Sequence, residues 1–259
     1  MCRILFARGS GEKVKPLAEA FKNSAENDPY RARRSGKSQH RDGWGYVLLR
    51  DGSVYHYRSS KPAFEDEQGF SRLVELLDGD VILLTHARAS SQGSLGLFNV
   101  QPFAFSTRRG FSFWFLYNGD LDKGRIIELA GFDESDLKDA SDSYAFSAYL
   151  CRALKKPERD ELLKHYSIGM SLARTTFNTA TLFLLSRGSW RAFVTAYMTD
   201  KYWENPLHRN YARLIKLDKD VFAVASSTLE LYHDADWRDI PNGTAYIISP
   251  DGIEHLSLR

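Results

Sequence analysis

The 259-residue sequence predicts an α+β fold, most simply β-sheets stacked between helical layers. Three observations predict it. Strand-like segments occupy the beginning and the end of the chain, with helical periodicity concentrated between them. No internal repeat, low-complexity tract or Pro- or Ser-rich linker marks a boundary, so residues 1–259 are read as one domain. Hydrophobic residues make up 43% and charged residues 26%, the balance of a globular chain long enough to bury a large core.

In order along the chain, residues 2–7 form an apolar run suited to a strand buried on both faces, and Gly9-Ser10-Gly11 reads as the turn that ends it. Val14, Leu17, Ala18, Phe21 and Ala25 recur at helical spacing, which predicts an amphipathic helix over 14–27, stopped by Asp28-Pro29. The basic run 31–37 has no periodicity and reads as a flexible, solvated loop. Gly43-Trp44-Gly45 leads into a strand that returns through an Asp51-Gly52 turn as a partner strand over 53–58, and the two glycines point to backbone packed close against a neighbour. A helix over 64–77, closed by Asp78-Gly79-Asp80, precedes a short central strand over 81–85. That strand delivers His86, Arg88, Ser90 and Ser91 into a polar loop. An aromatic strand over 111–117 ends at Asn118-Gly119-Asp120, read as a turn. Helices are expected over 142–154, with Ser141 or Asp142 as N-cap, and from 157 towards 173. Strands over 179–186 and 190–198 flank an Arg187-Gly188-Ser189 turn, and others are expected near 212–217, 221–225, 244–248 and 253–258.

Net charge is +2, which gives little electrostatic reason to expect a nucleic-acid or membrane partner; a small molecule is the expected partner. Nucleic-acid binding through 31–37 ranks last, because the neutral remainder offers no extended basic face. Cys2 and Cys151 are the only cysteines, which excludes a disulfide framework and a cysteine-rich zinc site and suits a reducing cytosol. No signal-like segment and no apolar run of membrane-spanning length is found, so a cytoplasmic location is expected. The seven histidines show no metal-ligand spacing; no metal and no cofactor is expected. His86 reads as a packed, hydrogen-bonded residue, Cys151 as inert core, and Trp44, Trp114 and Trp237 as packing.

The chemistry centres on Met1-Cys2-Arg3-Ile4-Leu5-Phe6, where a thiol opens an apolar strand. Loss of Met1 leaves Cys2 with a nucleophile and a free α-amine on one residue, and an amine of unperturbed pKa about 8 can accept the thiol proton. Three polar clusters follow strands or open a helix: Arg88 with Ser91, Asn118 with Gly119, and Asp142 with Ser143. Each has a plain structural explanation as a surface ion pair, a turn or a helix cap. With Cys2 they form a more specific set. The Asn118 amide and the Gly119 N–H are candidate oxyanion donors, Arg88 a carboxylate clamp and Asp142 an ammonium acceptor. An α-amino acid with a side-chain amide, glutamine above all, answers that description.

On these motifs the chain resembles a stand-alone class II (type 2) glutamine amidotransferase of the N-terminal nucleophile hydrolase superfamily. The Met-Cys start, Asp42-Gly43-Trp44-Gly45 and Thr85-His86-Ala87-Arg88-Ala89-Ser90-Ser91 match its pattern in order. Gln101-Pro102-Phe103 with Asn118-Gly119-Asp120, and Ser141-Asp142-Ser143, complete five motifs. Phe177-Asn178 and Ala225-Ser226-Ser227-Thr228-Leu229 with Trp237 extend the likeness over nearly the whole chain. Two positions depart from the pattern: Tyr117 stands where a histidine usually precedes Asn-Gly, and Tyr144 where a glutamate is common. Ser91 replaces the more usual threonine and keeps the hydroxyl.

The resemblance implies a four-layer αββα sandwich and hydrolysis of the glutamine side-chain amide through a Cys2 γ-glutamyl thioester, releasing ammonia. Cys2, Asn118 and Gly119 are then catalytic, and Arg88, Ser91, Asp142 and Ser143 bind substrate. A separate synthase subunit is the implied ammonia acceptor. Two alternatives stay open: a hydrolase of a γ-glutamyl amide or peptide with no acceptor, and a non-catalytic amino-acid-binding protein that retains Met1.

Overall fold

Two antiparallel sheets face each other between layers of helices in the computed structural model, which describes residues 1–185 and 188–258. The chain opens with β1 (Arg3–Ser10), α1 (Gly11–Glu26), α2 (Pro29–Ser35), β2 (Trp44–Arg50), β3 (Ser53–Ser59), α3 (Glu67–Leu76) and β4 (Asp80–Ala87). It continues through β5 (Phe103–Ser106), β6 (Ser112–Leu121), α4 (Lys123–Ala130), α5 (Asp142–Ala153) and α6 (Arg159–Ser171). Next come β7 (Ala173–Leu184), β8 (Trp190–Ala196), α7 (Asp200–Glu204), α8 (Pro206–Ala212), β9 (Leu214–Asp218) and β10 (Phe222–Ser226). The short β11 (Arg238–Asp239) and the hairpin of β12 (Thr244–Ser249) and β13 (Gly252–Ser257) end it. The first sheet has the order β11-β9-β10-β1-β4-β2-β3 and the second β13-β12-β8-β7-β6-β5.

Alternation along the strands sorts apolar side chains into three cores. Leu5 and Ala7 of β1, with Val81 and Leu83 of β4, pack against Val14, Leu17 and Phe21 of α1 and Leu73 of α3. Ile4 and Phe6, with Ile82 and Leu84, point the other way and meet Leu116, Ala180, Leu182 and Val194 of the second sheet. The far face of that sheet, with Phe113, Phe115 and Phe183, is covered by Phe146 and Leu150 of α5 and Leu162 and Tyr166 of α6. Helix, sheet, sheet and helix thus stack as the expected four-layer αββα sandwich. At about 25 cal/mol per Å² of apolar surface, burial on both faces of each central strand is the main force joining the layers.

Several local expectations are corrected. The basic run 31–37 is not a loop: most of it lies in α2, because Asp28-Pro29, which ends α1, also starts a helix. The Asp28 carboxylate accepts from the Arg31 N–H at 3.0 Å and Pro29 sits in the first turn, while Gly36 closes the helix in the left-handed region at φ 70°. Gly9-Ser10-Gly11 is not a turn either; β1 runs to Ser10 and α1 begins at Gly11. Nor does Asn118-Gly119-Asp120 end its strand: β6 continues to Leu121 through an irregularity between Gly119 and Leu121. Strand β7 begins at Ala173, earlier than expected, and its predicted end at Ser186, with Arg187 of the following turn, lies outside the described residues. Cys151 is half-buried rather than core, its thiol pushed up by burial.

Candidate active site

Because β1 and β4 are antiparallel, the start of one lies beside the end of the other, with Arg3 opposite Ala87. The start of β1 therefore meets the loop that follows β4, and across the sandwich both meet the end of β6. Cys2 sits in that corner, 9% exposed. Its main-chain N–H donates to Asn118 Oδ1 at 2.7 Å, and its sulfur accepts from the Ala89 N–H at 3.3 Å. The Nδ2 of Asn118 is buried without a partner, and the Asn118 carbonyl accepts from the Thr176 hydroxyl at 2.7 Å. Gly119 is required beside it: a Cβ there would lie 2.2 Å from the Thr176 carbonyl oxygen and 2.3 Å from the Tyr117 hydroxyl.

Arg88 leaves β4 as a buried side chain whose position the main chain fixes twice. Its N–H donates to the Gly43 carbonyl at 2.8 Å, and its carbonyl accepts from the Asp42 N–H at 3.1 Å. Gly45, one strand over, lets the segment after the loop pack close on β2, since a Cβ would meet the carbonyls of Gln101 and Tyr57 at 2.6 Å. The Asp42 carboxylate accepts from the Ser90 N–H at 2.7 Å and holds the loop. One arm of the guanidinium, Nη2, donates to the Ser90 hydroxyl and the carbonyls of Gln92 and Ser94 at 2.9, 3.1 and 3.2 Å; Nη1 is buried without a partner. Ser91 itself is exposed.

Asp142 opens α5 beneath the Ser141 cap, whose hydroxyl accepts from the Tyr144 N–H at 3.2 Å. The carboxylate accepts from the Leu121 N–H at 2.8 Å and the Ser143 N–H at 2.9 Å, and it has no cationic partner among the described residues. Burial pushes its pKa up to about 7 against those two hydrogen bonds, and the neighbouring Asp120 and Cys2 push the same way. The Ser143 hydroxyl is occupied within the protein: Gln101 donates to it at 3.1 Å, and it shares a hydrogen bond with Ser141 at 2.9 Å. Gln101 in turn accepts from the Tyr117 N–H at 2.6 Å, so Ser143 fixes the strand that carries Asn118.

Of the predicted set, the structure brings Cys2, Asn118, Gly119, Arg88 and Asp142 to one corner, keeps Ser143 one bond behind them, and leaves Ser91 at the surface. Tyr117 turns its ring to the helical side, its hydroxyl donating to Thr176 at 2.8 Å. Tyr144 packs against Phe98, Phe103 and Phe105. His86 is fully buried as expected; burial and then Arg88 lower its pKa to about 3 against a hydrogen bond with the Tyr117 main chain, so it is neutral.

Behind Cys2 lies a cluster that the sequence reading missed. Arg3 is fully buried; its Nε donates to Asp28 Oδ2 at 2.6 Å, its Nη1 to the Tyr211 carbonyl at 3.0 Å, and its guanidinium lies 4.1 Å from the Tyr211 ring centre. Asp28 also accepts from Thr228 and lies 2.9 Å from His40 Nε2. Burial lowers the His40 pKa to about 3, so His40 is neutral beside the Arg3–Asp28 ion pair, its Nε2 within hydrogen-bond distance of both partners. The pair itself holds the Asp28 carboxyl well below the usual range, although burial alone would raise it. The available signal was an arginine inside a strand read as buried on both faces, since a buried charge requires a partner.

No protein-family model and no curated protein matches the sequence. Solved structures do. Glutamine phosphoribosylpyrophosphate amidotransferase from B. subtilis aligns over 100% of this chain and 49% of its own, at 16% identity and a TM-score of 0.62. A structure described as the allosteric regulatory enzyme of purine biosynthesis gives 15% identity, 100% and 49% coverage, and a TM-score of 0.62. The chain thus spans about half the length of these two. A glutamine aminotransferase class-II domain protein from Silicibacter pomeroyi aligns over 99% of both chains, at 14% identity and a TM-score of 0.53. At these identities the likeness is one of fold: the chain has the N-terminal nucleophile hydrolase-type fold of class II glutamine amidotransferases. Among the described residues, no helix is long and apolar enough to cross a membrane.

Proposed function

We propose that the protein hydrolyses a γ-glutamyl amide, with glutamine as the reference substrate, through a thioester on Cys2. The observation that carries this reading is a set of polar groups with unmet capacity around one thiol: the Asn118 Nδ2, the Arg88 Nη1 and the Asp142 carboxylate. Arg88 and Asp142 are of opposite sign, as a substrate with a carboxylate and an ammonium requires.

Cleavage of the Met1–Cys2 bond frees the Cys2 amine, with Asn118 Oδ1 already aligned to it. The amine takes the thiol proton, the sulfur attacks the γ-carbonyl, and Asn118 Nδ2 with the Gly119 N–H stabilises the oxyanion. The protonated amine then gives its proton to the departing nitrogen, and water activated by the same amine releases glutamate. Ser143 organises Gln101 and the end of β6, and Ser91, exposed on the loop after β4, is assigned as a substrate contact. A separate synthase subunit would be the acceptor if the released ammonia is used. Release of ammonia and glutamate from glutamine by protein beginning at Cys2 tests the reading; equal release by the Cys2→Ala protein contradicts it.

A further inference from the structure

We propose that the space filled by Met1 is the subsite for the leaving amine, and that the preferred substrate is a γ-glutamyl amide of an apolar, carboxylate-bearing amine. In chemical class this is a γ-glutamyl dipeptide. The inference rests on the thioester reading and deepens it.

The topology gives the site two sides. Groups suited to the acyl part lie towards β4 and β6: Arg88 follows β4, Asp142 is tied to Leu121 at the end of β6, and the Cys2 sulfur faces the Ala89 N–H. Met1 runs the opposite way, towards β7, α7 and α8. Its side chain packs on Met198, Tyr202 and Ala212 with Trp203 beside it, its sulfur lies 3.9 Å from the Thr176 hydroxyl, and its carbonyl accepts from the Tyr211 hydroxyl.

The chemistry of the α-amine makes that position informative. To protonate a departing nitrogen, the Cys2 amine must come within about 3 Å of it. The Met1 carbonyl carbon is bonded to that same amine nitrogen, so Met1 fills the space beyond the amine, away from the acyl side. A substituent on the departing nitrogen would enter there. Ammonia needs no such room, whereas an apolar side chain matches walls of Met198, Tyr202 and Ala212, all nearly buried.

The rim supplies a charge. Arg34, from the basic run now seen as α2, places its guanidinium carbon 5.7 Å from the Tyr202 ring centre and 5.2 Å from that of Tyr211. Its Nη2 donates to the Tyr202 hydroxyl at 2.8 Å, while its Nε is buried without a partner. A cation with an unused donor beside an apolar pocket suits the carboxylate of a departing amino acid. In the reaction the sulfur–carbon bond forms first to give the oxyanion, its collapse breaks the carbon–nitrogen bond, the amino acid leaves with the proton held by the Cys2 ammonium, and water cleaves the thioester to glutamate.

The test compares glutamine, γ-glutamyl-leucine and γ-glutamyl-leucinamide as substrates of protein shown by intact mass to begin at Cys2. The dipeptide is expected to exceed glutamine in kcat/KM by about tenfold or more, and the leucinamide, lacking the carboxylate, to fall back by about tenfold. Arg34→Gln should lower the dipeptide-to-glutamine ratio by a similar factor, with Arg34→Lys recovering part of it. Glutamine turned over as well as or better than the dipeptide overturns the inference and leaves the thioester reading standing. No turnover of either substrate, with no labelling of Cys2 by 6-diazo-5-oxo-norleucine, overturns both.

Discussion

The amide of Asn118 is divided between two tasks: its Oδ1 accepts from the Cys2 N–H at 2.7 Å, while its Nδ2 is buried with no partner. In the proposed reaction one half orients the nitrogen that acts as base, and the other is left for an oxyanion. Asn118→Ala is therefore expected to lower kcat on glutamine by at least about 10²–10³-fold, the cost of one oxyanion donor, with KM changed far less. Steady-state kinetics on processed protein checks this.

Cys2→Ala removes the sulfur but neither Arg88 nor Asp142. Glutamine should still bind this variant, and Arg88→Ala added to it should weaken binding by about tenfold or more. Calorimetric titration reads both, and no binding to Cys2→Ala would contradict the assignment of the two charged groups.

If Asp142 holds the substrate ammonium as proposed, binding acquires a pH dependence. Its pKa is raised to about 7 by burial, so the carboxylate is the minority form below that pH, whereas a substrate ammonium requires it ionised. Glutamine affinity for the Cys2→Ala protein is expected to be greatest above about pH 7 and to fall by up to about tenfold per pH unit below it. Asp142→Asn should bind weakly at every pH and lose the slope. Titrations across that window separate the two.

The Arg3–Asp28 pair makes a stability prediction. Both side chains are fully buried, and removing one partner leaves an uncompensated charge, so Arg3→Ala should cost about 3–5 kcal/mol in denaturant unfolding. The Asp28 pKa is depressed on folding, so its contribution is fully present above the unfolded carboxylate pKa of about 3.9 and is lost as pH falls towards the folded value. Stability below about pH 4 should fall less steeply in Asp28→Asn than in the native chain.

The central strands and the corner they form were legible because apolar runs and the residues following them are local patterns. Residues 2–7 and 81–85 read as buried strands, and Arg88, Asn118 and Asp142 followed from their positions after strands or before a helix. Three features needed the folded chain. Asp28-Pro29 carries the same residues whether it stops one helix or starts the next, so α2 was hidden. Asn118-Gly119 has turn composition, yet β7 pairs with it and carries the strand through. The partners of Arg3 lie 25 and 208 residues away, beyond any spacing rule.

The most direct measurement is the intact mass of the protein from its own cells, with and without 6-diazo-5-oxo-norleucine, a glutamine-shaped electrophile. Met1 is expected to be absent and a single adduct to form on Cys2, lost in Cys2→Ala. A protein that retains Met1 and takes no adduct would contradict it, leaving an amidotransferase fold that binds an amino acid without cleaving it.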